Sequence, residues 1–334
     1  MEIHTQPQSN SGRAEPPPLV SDADSHVFRF VFEGSPQPLK SFLVARYGAS
    51  RGPDWAEDFY PDRVRLNGRA VARETVVHPG AEISYLHLRN EEPAPPHLAE
   101  PLFEDDWLVV LQKPDCIPVS PAGIYYFTSM AILARERLGN RELTPAHRLD
   151  LETSGPVIFA RRKADLKEIH RLFEGRSIRK RYRALVHGAF PAELRTISGR
   201  IVPHPASAIA TKLALQPGPG GSAGSLTRVI SVVHRGPFSE LELEPVTGKT
   251  NQLRVHLAAV GHPIVGDKKY HDDEGVFLDW YAHRDFGRLR RKLLLPRQAL
   301  AAERLEFTHP VTGEPVRVEA PAGSWEEKLQ GLTP

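Results

Sequence analysis

An α+β fold with a mixed, largely antiparallel central sheet, preceded by a small α+β module, is what this sequence predicts. Three observations carry that expectation. Segments of strand period and segments of helical period are interleaved without the regular strand–helix alternation of a parallel sheet. A proline-bearing run at residues 91–100, with Pro93, Pro95 and Pro96, separates a short first part from a long second part. The chain has 334 residues, 40% of them hydrophobic, which suits one large domain plus a smaller one.

Residues 1–24 are rich in proline, serine and charge and read as a flexible tail. The small N-terminal domain is expected over residues 25–92. Alternation over 27–33 predicts a strand, and Leu39, Phe42, Leu43 and Arg46 predict a short helix over 38–47. Asn67-Gly68 between residues 63–66 and 69–71 predicts a hairpin, because that pair suits a primed turn. A turn at His78-Pro79-Gly80 and a strand over 82–88 complete the unit. Residues 93–97 form the linker, and residues 98–334 the larger domain. Its predicted strands lie at 107–113, 156–161, 181–187, 228–234, 240–244, 305–308 and 316–319, the last two joined through Thr312-Gly313. Its predicted helices lie at 128–138, 163–173 and 250–260, the last with Leu253, Leu257 and Val260 on one face. Residues 205–226, rich in Gly, Pro and Ala, read as a surface insertion.

The single cysteine, Cys116, forms no internal disulfide, which points to a reducing compartment and a cytoplasmic protein. Between Asp115 and Ile117 it reads as a small packing residue. The amino terminus lacks an apolar core region and no long apolar run follows, so neither secretion nor membrane spanning is expected. Formal net charge is +2, but basic residues cluster. One cluster holds Arg171, Arg176, Arg179, Lys180, Arg181 and Arg183; a second holds Arg284, Arg288, Arg290, Arg291, Lys292 and Arg297. Either run, taken alone, fits a solvated helix face better than a polyanion footprint.

Two segments carry candidate chemistry. The first, His147-Arg148-Leu149-Asp150-Leu151-Glu152-Thr153-Ser154-Gly155, falls in a loop that can present polar side chains at a cleft. Spacing alone favours an aspartate capping a turn, with Arg148 as its surface partner. The second, Gly248-Lys249-Thr250-Asn251-Gln252-Leu253-Arg254-Val255-His256-Leu257, opens a helix with Thr250 as its expected N-cap. Arg254, one turn in, can pair with a carboxylate or face water. No second His or Cys falls at metal-ligand spacing from His256, which argues against zinc. Ser154 lacks the G-x-S-x-G setting of a hydrolase nucleophile.

Together these segments make the chain resemble the RluA-type RNA pseudouridine synthases. His147 to Gly155 matches that family's HRLDxxTSG signature. Arg179 to Val186 resembles its second motif, a basic segment around a tyrosine, here Tyr182. Gly248 to Leu257 resembles its third, written GRTHQIRVH, and Pro263-Ile264-Val265-Gly266-Asp267 with Tyr270 continues that block. The resemblance spans residues 98–322, and three motifs in order are far more specific than any one.

The resemblance implies a pseudouridine synthase fold that isomerises uridine in ribosomal or transfer RNA, without metal or organic cofactor. It makes Asp150 the essential carboxylate, Arg254 its partner and Tyr182 the active-site aromatic. Arg148 fills the gap left by a flipped nucleotide, since the base edge and C1′ are out of reach in a stacked helix. His147, Thr153, Lys249, Asn251, Gln252 and Arg181 join Arg148 as expected substrate-binding residues, and the basic stretches become phosphate contacts. Lys249 and Asn251 stand where the third motif has arginine and histidine, and Ala301 where a later segment has histidine. Residues 64–71 and 78–85 resemble the second half of an alpha-L RNA-binding module, whereas 55–60 are acidic and aromatic where its basic helices belong. No heptad or dimer helix is evident, so a monomer is expected. The competing reading is a catalytically silent RNA-binding or ribosome-assembly factor, against which the retained Asp150 argues. A glycoside hydrolase would generally need a second carboxylate.

Overall fold

The computed structural model describes residues 20–48, 62–218, 224–321 and 325. Two compact units divide the chain, Met1–Pro93 and Ala94–Pro334. The acidic-aromatic segment 55–60 and most of the expected tail lie outside the described residues.

In the first unit, strand β1 (Ser25–Val31) is followed by β2 (Gln37–Pro38), helix α1 (Leu39–Leu43), β3 (Val64–Leu66), β4 (Arg69–Ala70), β5 (Val76–Val77) and β6 (Glu82–Leu88). The main sheet has the order β1-β6-β3-β4, and β2 pairs with β5. The predicted hairpin turn is present, with Asn67 and Gly68 at φ 51° and 80°, as a primed turn requires. Helix α1 is shorter than its apolar spacing suggests, because the chain loosens into a π turn over Val44–Gly48. Phe32, Leu39, Leu43, Val64, Val77, Ile83 and Tyr85 form the core of this unit.

The second unit holds two sheets. Strands β7 (Phe103–Glu104), β8 (Leu108–Lys113), β9 (Thr144–Pro145) and β10 (Gly155–Ala160) pair in the order β7-β8-β10-β9. Helix α2 (Met130–Leu138) precedes β9, and α3 (Leu166–Glu174) follows β10. The larger sheet contains β11 (Arg179–His187), β12 (Thr196–Pro203), β13 (Leu213–Pro217), β14 (Ser225–Arg235), β15 (Phe238–Pro245), β16 (Leu300–Thr308) and β17 (Pro315–Glu319). Its order is β13-β12-β14-β15-β11-β16-β17, antiparallel at each pairing. Helices α4 (Gln252–Ala259), α5 (Gly275–His283) and α6 (Phe286–Leu293) lie between β15 and β16. Among the described residues no helix is long and apolar enough to cross a membrane.

The sheets meet where β10 begins. Ser154 bridges Ala301 in parallel, and Ala302 N donates to the Ser154 carbonyl at 2.9 Å. Gly155, at φ +138°, permits this approach; a Cβ there would stand 2.5 Å from the Cβ and carbonyl oxygen of Ala302. Aliphatic residues of β8 and β10 and of β11, β15 and β16 fill the cores on either side.

Three expectations are corrected. The stretch 205–226 is more than an insertion, because β13 pairs through it with β12 and Leu215 packs on the core. Helices α5 and α6 were not anticipated; their cluster of Val276, Leu289 and Leu293 is small and embedded among charges. Cys116 is exposed in a left-handed turn at φ 62° and does not pack.

Candidate active site

The loop between β9 and β10 carries Asp150, and it is braced from below. Lys113, fully buried at the end of β8, donates from Nζ to the carbonyls of Pro114 (2.8 Å), Leu151 (3.0 Å) and Thr153 (2.8 Å). Burial pushes its ammonium down to about 7, with Cys116, Asp115 and Asp150 opposing the fall. Three carbonyls match the three N–H groups of an ammonium. Lys268 Nζ donates to Glu152 Oε1 at 2.5 Å, and Gln298 N donates to Glu152 Oε2 at 3.0 Å. Gln298 Nε2 donates to Thr153 Oγ1 at 2.7 Å.

Opposite that loop, helix α4 opens at Gln252, later than expected. Thr250 is exposed and does not cap it. Asn251 occupies the cap position in left-handed backbone (φ 53°), and no side chain caps the helix. Asparagine tolerates that conformation better than most residues. Buried Gln252 holds the turn instead: its Oε1 accepts from Thr247 Oγ1 (2.6 Å) and Lys249 N (3.1 Å), and its Nε2 donates to Leu226 O and Thr227 Oγ1.

One turn into α4, Arg254 joins two carboxylates. Its Nη1 donates to Asp150 Oδ2 at 3.0 Å, while Nε and Nη2 donate to Asp267 Oδ2 and Oδ1 at 2.6 and 2.8 Å. Asp267 also accepts from the backbone N–H groups of Lys269 and Tyr270. Burial works to raise Asp267, but the guanidinium and these amides hold its carboxyl below the usual value. Burial likewise opposes the charge on Arg254, and Asp267 and then Asp150 outweigh it, so its pKa is raised. The Asn251 amide completes the setting in the orientation that satisfies both its ends. Its nitrogen donates to the Asp150 oxygens at 3.3 and 3.2 Å, and its oxygen accepts from the Tyr270 hydroxyl at 3.1 Å.

These elements enclose a cavity of about 340 Å³, lined by His147, Arg148, Asp150, Thr153, Lys180, Tyr182, Lys249, Asn251, Gln252 and Arg254, with Phe173, Leu253 and Leu300 among its apolar lining. Asp150 is the sole carboxylate lining it among the described residues. Burial, then the Asp150 charge, push the Tyr182 hydroxyl above its ordinary value, so it is a phenol at neutral pH. His147 is held neutral: burial and then Lys180 push it down to about 3, and its Nε2 accepts from Ile158 N at 3.1 Å. Arg148 and Lys249 are exposed residues of this lining.

Nine of the ten residues expected from sequence thus line one cavity. The polar atoms of Thr153 and Gln252 are engaged within the protein. Arg181 is the exception. Strand alternation sends it away from Lys180 and Tyr182, and it pairs with Glu244 at 2.9 Å. The sequence assigned no role to Lys113 or Asp267, and counted Lys180 only among the basic residues expected to contact phosphate. The alternation that excludes Arg181 would have pointed to Lys180, which shares the cavity with Tyr182. Among the described residues no group of three His, Cys, Asp or Glu side chains is arranged to hold a metal ion.

The family described as RNA pseudouridylate synthase matches residues 107–259. The chain is 31% identical over 283 residues to ribosomal large subunit pseudouridine synthase C of Salmonella typhimurium, covering 77% of this chain and 81% of that protein. It is 30% identical over 285 residues to the protein of the same name from Escherichia coli K12, with the same coverage. Among solved structures, human RNA Pseudouridylate Synthase Domain Containing 1 matches with a TM-score of 0.52 and 26% identity, covering 72% of this chain and 97% of that one. Human RNA Pseudouridylate Synthase Domain Containing 4 gives 0.50 and 25%, covering 70% and 92%.

Proposed function

The chain belongs to the RluA-type RNA pseudouridine synthases, and from that premise we propose that it isomerises uridines of large-subunit ribosomal RNA, with Asp150 acting at the sugar of a flipped nucleotide. The observation that carries this reading is a lone carboxylate in the cavity, oriented by Arg254 and Asn251. A glycosidase would generally flank the bond with two carboxylates. The isomerisation breaks N1–C1′, turns the uracil, forms C5–C1′ and moves the C5 proton off carbon. Every heavy atom of the base is retained: C5 gives its proton to solvent as it bonds C1′, and N1, released from C1′, takes one up. Asp150 begins this as a nucleophile at C1′ or as a base on the sugar, dividing one hard exchange into easier steps.

Tyr182 enters as a phenol, its ring against the extruded base and its hydroxyl a hydrogen-bond donor. Arg148, an exposed lining residue, is available to occupy the vacated stack. Lys180 and Lys249 supply positive charge for the phosphates. The names of the relatives from Salmonella and Escherichia support ribosomal RNA as the substrate. For residues 25–92 an alpha-L-like module is part of the same proposal, supported by the β3–β4 hairpin and β6.

The test is tritium release from ribosomal RNA labelled at uridine C5, comparing the native chain with Asp150→Ala. Release that vanishes in the variant, with no free uracil formed, is expected. Absence of release by the folded native chain would overturn the catalytic reading and favour a silent RNA-binding factor.

A further inference from the structure

We infer that the α5–α6 hairpin is a second RNA-contact surface, taking a single-stranded stretch of the substrate outside the cavity; this rests on the pseudouridine synthase reading. The hairpin has its own small core, in which Val276, Leu289 and Leu293 pack with Trp280 and Phe286. Its outward residues are therefore free of duty in the main core, and their chemistry is unusual for a solvated face.

On α5, Phe277 and Tyr281 sit one turn apart with rings stacked at 5.9 Å and 22°. Tyr281 is 44% exposed, as is Leu278. The Arg284 guanidinium, just past the helix end, lies 4.9 Å from the Tyr281 ring. An exposed tyrosine ring backed by a half-buried phenylalanine, with a guanidinium beside it, forms a platform on which a base can stack, whatever its identity.

On α6 the charges divide into two kinds. Arg288 pairs with Asp279 at 3.3 Å, and Lys292 with Asp273 at 2.6 Å. Arg290 and Arg291 are exposed and have no acidic partner among the described residues. A solvated helix face normally pairs or intersperses its charges; unpaired arginines on the second helix of a hairpin whose first helix carries the aromatic platform fit a phosphate backbone.

The hairpin is also rooted in the site. It follows the segment that carries Asp267 and Tyr270, and the ammonium of Lys268 lies 4.7 Å from the Trp280 ring. RNA held on the hairpin would belong to the same molecule whose uridine enters the cavity.

The test uses the full chain with a fluorescein-labelled oligouridylate, titrated at several salt concentrations. Tyr281→Ala is expected to weaken binding at least fivefold, the lower end for loss of one base–aromatic stack. Tyr281→Trp is expected to restore it, which a purely structural role would not produce. Arg290→Ala with Arg291→Ala should lower the slope of log affinity on log salt by about 1.4, two phosphate contacts for single strands. On ribosomal RNA these variants should raise KM and leave kcat within about twofold. Equal affinity and slope in native and variant chains would overturn the inference. So would competition by polyglutamate indifferent to Tyr281, which would indicate an acidic protein partner. Tritium release by the native chain is read separately, so loss of the hairpin's role and loss of the enzymatic reading give different results.

Discussion

Arg254 serves two carboxylates with one guanidinium, and that division of donors explains why Asp267 matters without lining the cavity. The fork is fixed on Asp267 by two bonds, so the remaining Nη1 is delivered to Asp150 in one direction. Asp267→Asn removes the charge and one acceptor from that fork. The guanidinium is then free to turn fully onto Asp150, and the carboxylate loses its alignment. The expected result is a fall in kcat on the order of 100-fold, the scale for a misplacement near 1 Å, with little change in RNA affinity. Native kcat in this variant would refute the positioning role. Asp150, Arg254 and Tyr182 were legible because each sits inside a contiguous motif. Asp267 stood inside the third block but received no role, because the resemblance assigned Arg254 to Asp150 alone. Lys113 was not legible, because it grips carbonyls of residues 151 and 153, and spacing says nothing about which carbonyl a lysine will find. Arg181 was misplaced because a motif counts residues, whereas a strand alternates faces.

At the scale of elements, β8, β10 and β11 were legible as apolar or alternating runs, whereas β12 was not anticipated although its burial alternates over Thr196–Arg200. Nor was the edge strand β13. It lies in a Gly- and Pro-rich stretch and gains its conformation from pairing with β12. The opening of α4 was shifted for a similar reason: Gln252 and Thr247 satisfy the turn by side-chain bonds that no capping pattern encodes. The junction of the two sheets carries the sharpest element-level prediction. Gly155 combines positive φ with a neighbour that leaves no room for a Cβ. Gly155→Ala adds backbone strain of about 1–3 kcal/mol to overpacking of about 1–3 kcal/mol. The urea midpoint should fall correspondingly, and the bond from Ala302 N to Ser154 O should loosen first. Activity should drop with it, because Ser154 closes the loop that carries Asp150. A variant with unchanged midpoint would show that β16 can retreat, and that the close approach is incidental. The small side chain at Ala302 belongs to the same constraint, and Ala301 is buried beside it at 2% exposure. Ala301, where the resemblance to the family's segment leads one to expect histidine, is therefore part of the core here.

Across the whole molecule, buried histidines tie stability to pH. His147 is pushed down to about 3 by burial and then by Lys180, and His256 to about 4 by burial. His256 reaches across from α4 to Ser225, which spends its own proton on the Gly199 carbonyl at 2.8 Å. The histidine therefore donates from Nε2, which leaves its buried Nδ1 without a partner. A second proton on either ring is easy in the unfolded chain and costly in the folded one. Both folded values lie below the ordinary value of 6.5, so the unfolded state binds more protons throughout the interval between. Their stabilising effect is complete above pH 6.5 and is lost as pH falls toward their folded values. Each can contribute up to about 1.4 kcal/mol per pH unit across that window. Glu91, lowered to about 2 against the opposing effect of burial by His87, Leu88 N and Arg63, has the same sign but begins only near its ordinary value of 4.5. Urea unfolding measured from pH 7.5 to 4 should therefore bend downward at about pH 6.5, before any carboxylate titrates. Replacing His147 and His256 together with glutamine, which keeps an acceptor or donor in place without a titrating proton, should flatten the limb between pH 6.5 and 4.5 and leave the lower limb intact. An unchanged limb in the double variant would move the acid sensitivity to other groups, first His26 and His187, which burial also lowers, and the two rings would then be packing groups without a part in the pH response.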